Sequence, residues 1–244
     1  MDTMQLAQKL VLWIKDKVLA TGSRGVVIGM SGGIDSSVLS VLCHRAFPQN
    51  TMGIIMPCYS DPVDEAHARA VAGKFTIPTE KVTLDPAFDA LVRALPARTT
   101  EASVKRLAEA NIKARLRMLT LYYFANQLRY IVVGSSNRSE IAAGYFTKYG
   151  DGAADILPLG SLVKTQIREL AKFLGVPQPI IDKPPSAGLW PGQISEAELG
   201  FTYVDLDRYL ITGEASEPVK AKIESRIAAN THKCLPAPIF SFQE

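Results

Sequence analysis

Leu6, Leu10, Trp13, Ile14 and Val18 recur at helical spacing through Met1–Ala20, with Lys9, Lys15, Asp16 and Lys17 among them, and predict an amphipathic helix. Gly25 to Met30 follows as a short apolar run, and Val38, Leu39, Val41 and Leu42 place a helix over Ser36 to Phe47. The order is strand, loop, helix. Pro48 to Asn50 turns the chain into a second buried strand, Thr51 to Met56, after which Asp61-Pro62 opens a helix running to Phe75. Lys81 to Leu84 reads as a third strand, Pro86 to Leu95 as a short helix, Glu101 to Arg129 as a long helix and Tyr130 to Val133 as a fourth strand. Beyond this the rhythm changes. Gly144 to Leu159 is glycine-rich and poorly periodic, Thr165 to Gly175 is helical, and Val176 to Gly192 is an extended stretch holding five prolines. Tyr203 to Leu210 and Pro218 to Asn230 read as helices, and Leu235 to Pro238 begins an extended tail.

Strands alternating with helices predict an α/β fold, a parallel sheet with helices on both faces in a Rossmann-like three-layer arrangement. Ligands in such sheets bind beyond the carboxyl ends of the strands. At 244 residues the expectation is one domain spanning 1–244 with one main active site. Composition excludes several classes. The chain is 47% hydrophobic and 21% charged with net charge +3, which is neither disordered nor patterned for nucleic acid. No run approaches the ~18 apolar residues of a membrane span, and the charged first helix is not a secretory signal. Three cysteines, Cys43, Cys58 and Cys234, have neither zinc nor redox spacing. A reducing cytoplasm is the expected compartment, with Cys43 and Cys58 as small buried hydrophobes.

The most informative stretch is Gly29-Met-Ser-Gly-Gly-Ile-Asp-Ser36, between the first strand and its helix. Gly32 and Gly33 permit backbone angles that turn successive N–H groups inward around an anion, and the helix that follows adds its positive dipole end. Ser31, Ser36 and Ser37 offer hydroxyls to phosphate oxygens, and Asp35 offers an oxygen ligand for Mg²⁺. The loop lacks the Walker ending Gly-Lys-Ser/Thr and the three spaced glycines of the dinucleotide fingerprint. Its spelling Ser-Gly-Gly-x-Asp-Ser resembles the PP-loop of the ATP pyrophosphatases, which split ATP between its α and β phosphates. Three further segments carry chemistry. Asn111, Arg115 and Met118 share a face of the long helix. Because Leu116 to Leu128 is apolar nearly all round, that helix is expected to be largely buried and its Arg to meet an anion. Gly134 to Glu140 follows the fourth strand, where Ser135 could bond a nucleotide and Glu140 could join Asp35 around magnesium. A helix start capped by Asn137 alone explains the same residues equally well. Gly144 to Asp155, with Lys148 at its centre and Lys164 beyond it, suits a ligand-closing loop.

These segments, with Lys183-Pro-Pro-Ser-Ala-Gly-Leu-Trp190, Glu196 to Tyr203 with its Glu-Leu-Gly-Phe-Thr-Tyr run, and His232-Lys233, together resemble the NAD synthetases over Leu6 to Pro238. The resemblance implies an adenine-nucleotide α-hydrolase-like fold and a homodimer with the dinucleotide site near the subunit boundary. It implies ATP phosphates on Gly29, Met30, Ser31, Gly32, Gly33, Ile34, Asp35 and Ser36, with Ser135, Lys164 and Ser186 as further ATP contacts. Asp35 and Glu140 would hold Mg²⁺, and Arg115, Lys148, Asp155, His232 and Lys233 would contact deamido-NAD. Asp35, Lys148 and Lys164 would then carry the catalysis. The chain departs from a common family spelling at Gly188 and at Ser195, where many members have Asp. The implied reaction is ATP-dependent amidation of a nicotinate carboxylate through an acyl-adenylate. Glutamine-using relatives add a large amidase domain for which this length leaves no room, so ammonia is the expected donor. The rival readings are a tRNA-thiolating PP-loop enzyme, a non-catalytic nucleotide-binding module and a structural dimer scaffold. Paired catalytic cysteines and a basic surface, which the first would favour, are not evident.

Overall fold

Four short strands pair in parallel into one sheet of order β3-β2-β1-β4, formed by β1 (Val26–Gly29), β2 (Thr51–Ile55), β3 (Thr79–Lys81) and β4 (Ile131–Val133). Val27 stands opposite both Met52 and Val132, so β1 is an inner strand of the sheet, beside β2. The computed structural model describes residues 2–96, 98–190 and 192–242. Met1 and Pro191, which the helix and proline-rich readings include, lie outside them.

Alternation along β1 builds the layers. Val26 and Ile28 point into a core shared with α1 (Thr3–Ala20), α2 (Ile34–Ala46), α3 (Pro62–Phe75) and α7 (Lys164–Leu174). Val27 points into the opposite core, with Phe88 of α4 (Asp85–Ala94) and Ala125 of α5 (Ala102–Leu128). Both faces are therefore covered, and β1, β2 and β4 are mostly apolar, whereas the edge strand β3 is Thr-Glu-Lys. A smaller third cluster lies beside the sheet. It joins α6 (Arg138–Ala143), α9 (Ser195–Leu199), α10 (Tyr203–Thr212) and α11 (Glu217–Cys234) through Ala143, Leu199, Leu206 and Ile223.

The structure corrects the sequence reading in four places. The third strand covers Thr79–Lys81 rather than Lys81–Leu84. Val82 and Leu84 still donate to Ile55 O and Pro57 O, but the chain there is already turning into α4, and their apolar side chains fill the core beneath it. A helix, α8 (Gln178–Asp182), interrupts the proline-rich stretch because Pro179 stands in its first turn, where no N–H is needed. The helix after the glycine loop begins at Ile34, two residues earlier than Ser36. The long helix is not buried all round: Leu119 and Tyr123 are 62% and 58% exposed, because only the side carrying Leu116, Leu121 and Ala125 meets the sheet. Cys43 and Cys58 are buried, and no helix among the described residues is long and apolar enough to cross a membrane.

Candidate active site

The carboxyl ends of β1, β2 and β4 open into one cavity of about 660 Å³, a size that suits a small-molecule site. Its floor is the glycine loop. Gly32 has φ +77°, and a Cβ there would stand 2.1 Å from the Asp64 carbonyl oxygen in the first turn of α3. Only glycine lets the loop turn this tightly against that helix. Ser31 and Ser36 fold back on the loop, their hydroxyls 2.9 Å apart, and Ser36 and Ser37 donate to Gly33 O at 3.0 and 2.7 Å. Ser31 and Ser36, which line the cavity, keep oxygen lone pairs for a ligand, whereas Ser37 is buried behind the loop.

Asp35, Glu140 and Lys164 converge on one wall. Lys164 Nζ donates to Asp35 Oδ2 at 2.5 Å and to Glu140 Oε1 at 3.2 Å. Asn137 ties the group to α6. Its Oδ1 accepts the Glu140 N–H at 3.0 Å, its own N–H reaches Glu140 Oε2 at 3.3 Å, and its Nδ2 donates to Asp35 Oδ1 at 2.8 Å. The helix start is a full capping box that includes Glu140 rather than a cap by Asn137 alone, and it joins Asp35 and Lys164 in one network. Burial raises the Glu140 carboxyl to about 7; Lys164 opposes the shift and the neighbouring Asp35 adds to it. Burial works against the Lys164 charge, yet Asp35 and Glu140 hold its pKa well above the lysine range.

Two carboxylates are what Mg²⁺ asks of a protein when phosphate oxygens and water complete its shell. Among the described residues no cluster of three or more His, Cys, Asp or Glu side chains offers a closed metal cage. The donor set fits a magnesium ion that arrives with a polyphosphate.

The cavity brings together Gly29, Met30, Ser31, Gly33, Ile34, Asp35, Ser36, Ser135, Glu140, Lys164, Ser186 and Lys233. Lys233 Nζ donates to Gly144 O and Phe146 O at 2.7 and 2.8 Å, fastening the wall formed by the Gly144–Asp155 loop. The other expected residues stand outside the cavity lining. Arg115 donates to Lys148 O at 3.3 Å, and Lys148 Nζ donates to His232 O and Leu235 O at 2.8 and 3.3 Å, so these three form a second group on the outer side of that loop. Asp155 accepts the Val132 N–H at 2.7 Å and closes the free edge of β4. Gly32 faces α3.

Arg117 was missed in the sequence. The apolar surroundings that pointed to a buried Arg in this helix apply to Arg117 and not to Arg115, which is exposed. Arg117 lines the cavity and donates to Met56 O at 3.2 Å and Ser60 Oγ at 3.1 Å, both neutral. Its burial lowers its pKa, and its remaining donors are free to meet an anion. The Asn-x-x-Ala-Arg-x-Arg-Met spacing held both arginines, and helical phase relative to Ala114 and Ala125 separates them.

A family model described as NAD synthase matches residues 6–236. The chain belongs to the NAD synthase family. Among its relatives, the NH(3)-dependent NAD(+) synthetase of Carboxydothermus hydrogenoformans is 47% identical over 93% of both chains. Among solved structures, the NMN synthetase from Francisella tularensis superposes with a TM-score of 0.94 at 37% identity, over 99% of this chain and all of the other. The NH3-dependent NAD synthetase from Campylobacter jejuni, solved in complex with nitrate, gives 0.83 at 28% identity over 99% of this chain and all of the other. As NAD synthase family members are, this chain is a ligase that forms a carbon–nitrogen bond, and ATP is its co-substrate.

Proposed function

We propose that this NAD synthase family chain amidates the nicotinate carboxylate of deamido-NAD with ammonia, consuming ATP and releasing AMP and pyrophosphate. The observation that carries this reading is the junction of the glycine loop with the Asp35–Lys164–Glu140 group on one cavity wall. It joins backbone donors for a departing pyrophosphate to a lysine and a hard-oxygen pair. A carboxylate oxygen of the substrate attacks the α-phosphorus and pyrophosphate leaves. Ammonia then adds to the acyl carbon, AMP departs with the carboxylate oxygen, and one proton is released. Mg²⁺, held by Asp35 and Glu140 when bound, would neutralise charge on the phosphate oxygens. The loop N–H groups and the Ser31 and Ser36 hydroxyls bind the outer phosphates, Ser135 and Ser186 complete the ATP site, and Lys164 turns from its carboxylates toward the phosphoryl oxygens. Lys148 holds the substrate loop together with Arg115 and His232. No protein nucleophile takes part, so rate comes from positioning and charge stabilisation.

The region 1–244 acts as one ammonia-using domain. A homodimer is supported by the apolar Leu119 and Tyr123 that α5 leaves uncovered. A reducing cytoplasm is supported by free thiols at Cys43, Cys58 and Cys234.

A second reading concerns the acceptor. The Francisella protein, with the higher TM-score and identity of the two solved structures, is an NMN synthetase, which favours activity on the nicotinate mononucleotide as well. Comparing kcat/KM for the two nucleotides, with ATP, Mg²⁺ and ammonium, decides the matter. NAD with AMP and pyrophosphate is expected from the dinucleotide; a tenfold or larger preference for the mononucleotide establishes the second reading, and ADP with phosphate overturns both.

A further inference from the structure

Helix α7 begins with Lys164, and the residue before it, Val163, has no side-chain acceptor for the free N–H groups of a helix start. The acceptors come from two other helices. Asp207 of α10 takes the Thr165 N–H on Oδ2 at 2.7 Å and the Ser139 hydroxyl on Oδ1 at 2.5 Å. Ser139 Oγ, on α6, in turn accepts the Lys164 N–H at 3.0 Å. Asp207 is 2% exposed and Ser139 is fully buried. A buried carboxylate is costly unless its environment supplies hydrogen bonds and opposite charge. Here the hydrogen bonds come from Ser139 and from the α7 N-terminus, whose dipole favours an anion.

The same face of α10 meets the other end of the lysine. Tyr203, one helical turn before Asp207, places its ring 5.2 Å from Lys164 Nζ. Helix α10 therefore holds Lys164 at the main chain, through Asp207 and Ser139, and at the ammonium. Between these anchors the side chain spans to Asp35 and Glu140.

We infer that Asp207, acting with Ser139, is a positioning residue for pyrophosphate formation: a cap supplied across helices that fixes the start of α7 and so delivers the Lys164 ammonium to the phosphate site. The inference rests on the proposed role of Lys164 toward ATP. Neither residue lines the cavity, so the effect passes through the residues they hold, Lys164 first among them.

A double-mutant cycle of Asp207→Ala and Lys164→Met tests it, with kcat, the KM for ATP and Tm measured for each protein. Asp207→Ala is expected to lower kcat about ten- to hundredfold, the scale of losing an orienting contact behind a working group. In the Lys164→Met background it should lower kcat less than about twofold, because the group it positions is gone. Asp207→Asn, which keeps an oxygen for the Thr165 N–H, should recover most of the loss. If Asp207→Ala does not fold, Ser139→Ala carries the same cycle. Equal losses in both backgrounds, or full turnover in Asp207→Ala, overturn the inference. A wild-type protein that makes no AMP counts against the functional reading instead. A crystal structure of Asp207→Ala, or of Ser139→Ala, in which Lys164 still meets Asp35 and Glu140 overturns the inference whatever becomes of that reading.

Discussion

Lys164 Nζ lies 2.5 Å from Asp35 Oδ2, joining the first turn of α2 to the first residue of α7 across 129 positions of sequence. Glu140 shares the same ammonium at 3.2 Å. One cation thus bridges the two carboxylates proposed to receive magnesium, and on that proposal Mg·ATP would exchange one positive partner for another.

Removing that cation leaves two acids facing each other. Lys164→Met should cut turnover at least a hundredfold and destabilise the ligand-free fold by about 2–3 kcal/mol. That figure sits below the range for breaking a fully buried pair, because Asp35 and Glu140 keep some solvent contact. Adding Glu140→Gln should restore part of the stability and none of the turnover. Calorimetry and an AMP assay on the single and double variants check this, and unchanged turnover in Lys164→Met removes the lysine from the phosphate site.

Arg117 is expected to matter to the reaction. Arg117→Met keeps much of the stem packing but loses the donors, and should lower kcat/KM for at least one substrate about tenfold or more. Wild-type kinetics in that variant would reduce Arg117 to a hydrogen bond between α5 and the end of β2.

The glycine loop separates two neighbours. Gly32→Ala should cost about 2–3 kcal/mol, since it adds a left-handed conformation for a Cβ residue to a collision with Asp64 O. At Gly33 the nearest atom to an added Cβ is Ser31 Oγ at 3.4 Å, so Gly33→Ala should fold nearly as well as the parent. Thermal unfolding of both tells them apart, and equal Tm values would contradict this account of the loop.

Lys148 holds the end of α11 through His232 O and Leu235 O. Lys148→Ala should speed amide exchange around 232–236 and raise the KM for the nicotinate nucleotide, while global Tm moves little. Unchanged exchange there would show that the segment is held by other contacts.

Much of this arrangement was legible in the chain because it rests on local rules. Glycines between a strand and a helix mark a phosphate loop, and alternating apolar runs mark a parallel sheet. What escaped depends on contacts distant in sequence. Asn137 reads as a simple cap until the fold brings Asp35 to its Nδ2. Asp207 falls within the Tyr203–Leu210 helix with nothing local to mark it, and only the packing of α10 on α7 brings it to the Thr165 N–H. Arg115 and Arg117 share one motif, and an apolar run without its phase cannot say which of them turns inward. The third strand slid because Val82 and Leu84 are apolar for the core under α4 rather than for a ladder.

The central claim is that a substrate carboxylate takes the adenylyl group while the loop keeps pyrophosphate. Deamido-NAD carrying ¹⁸O in both carboxylate oxygens, turned over with ATP, Mg²⁺ and ammonium, tests it by mass spectrometry of the products. The account predicts one ¹⁸O in AMP and none in pyrophosphate. Label in released phosphate or pyrophosphate, or AMP free of ¹⁸O, would contradict it.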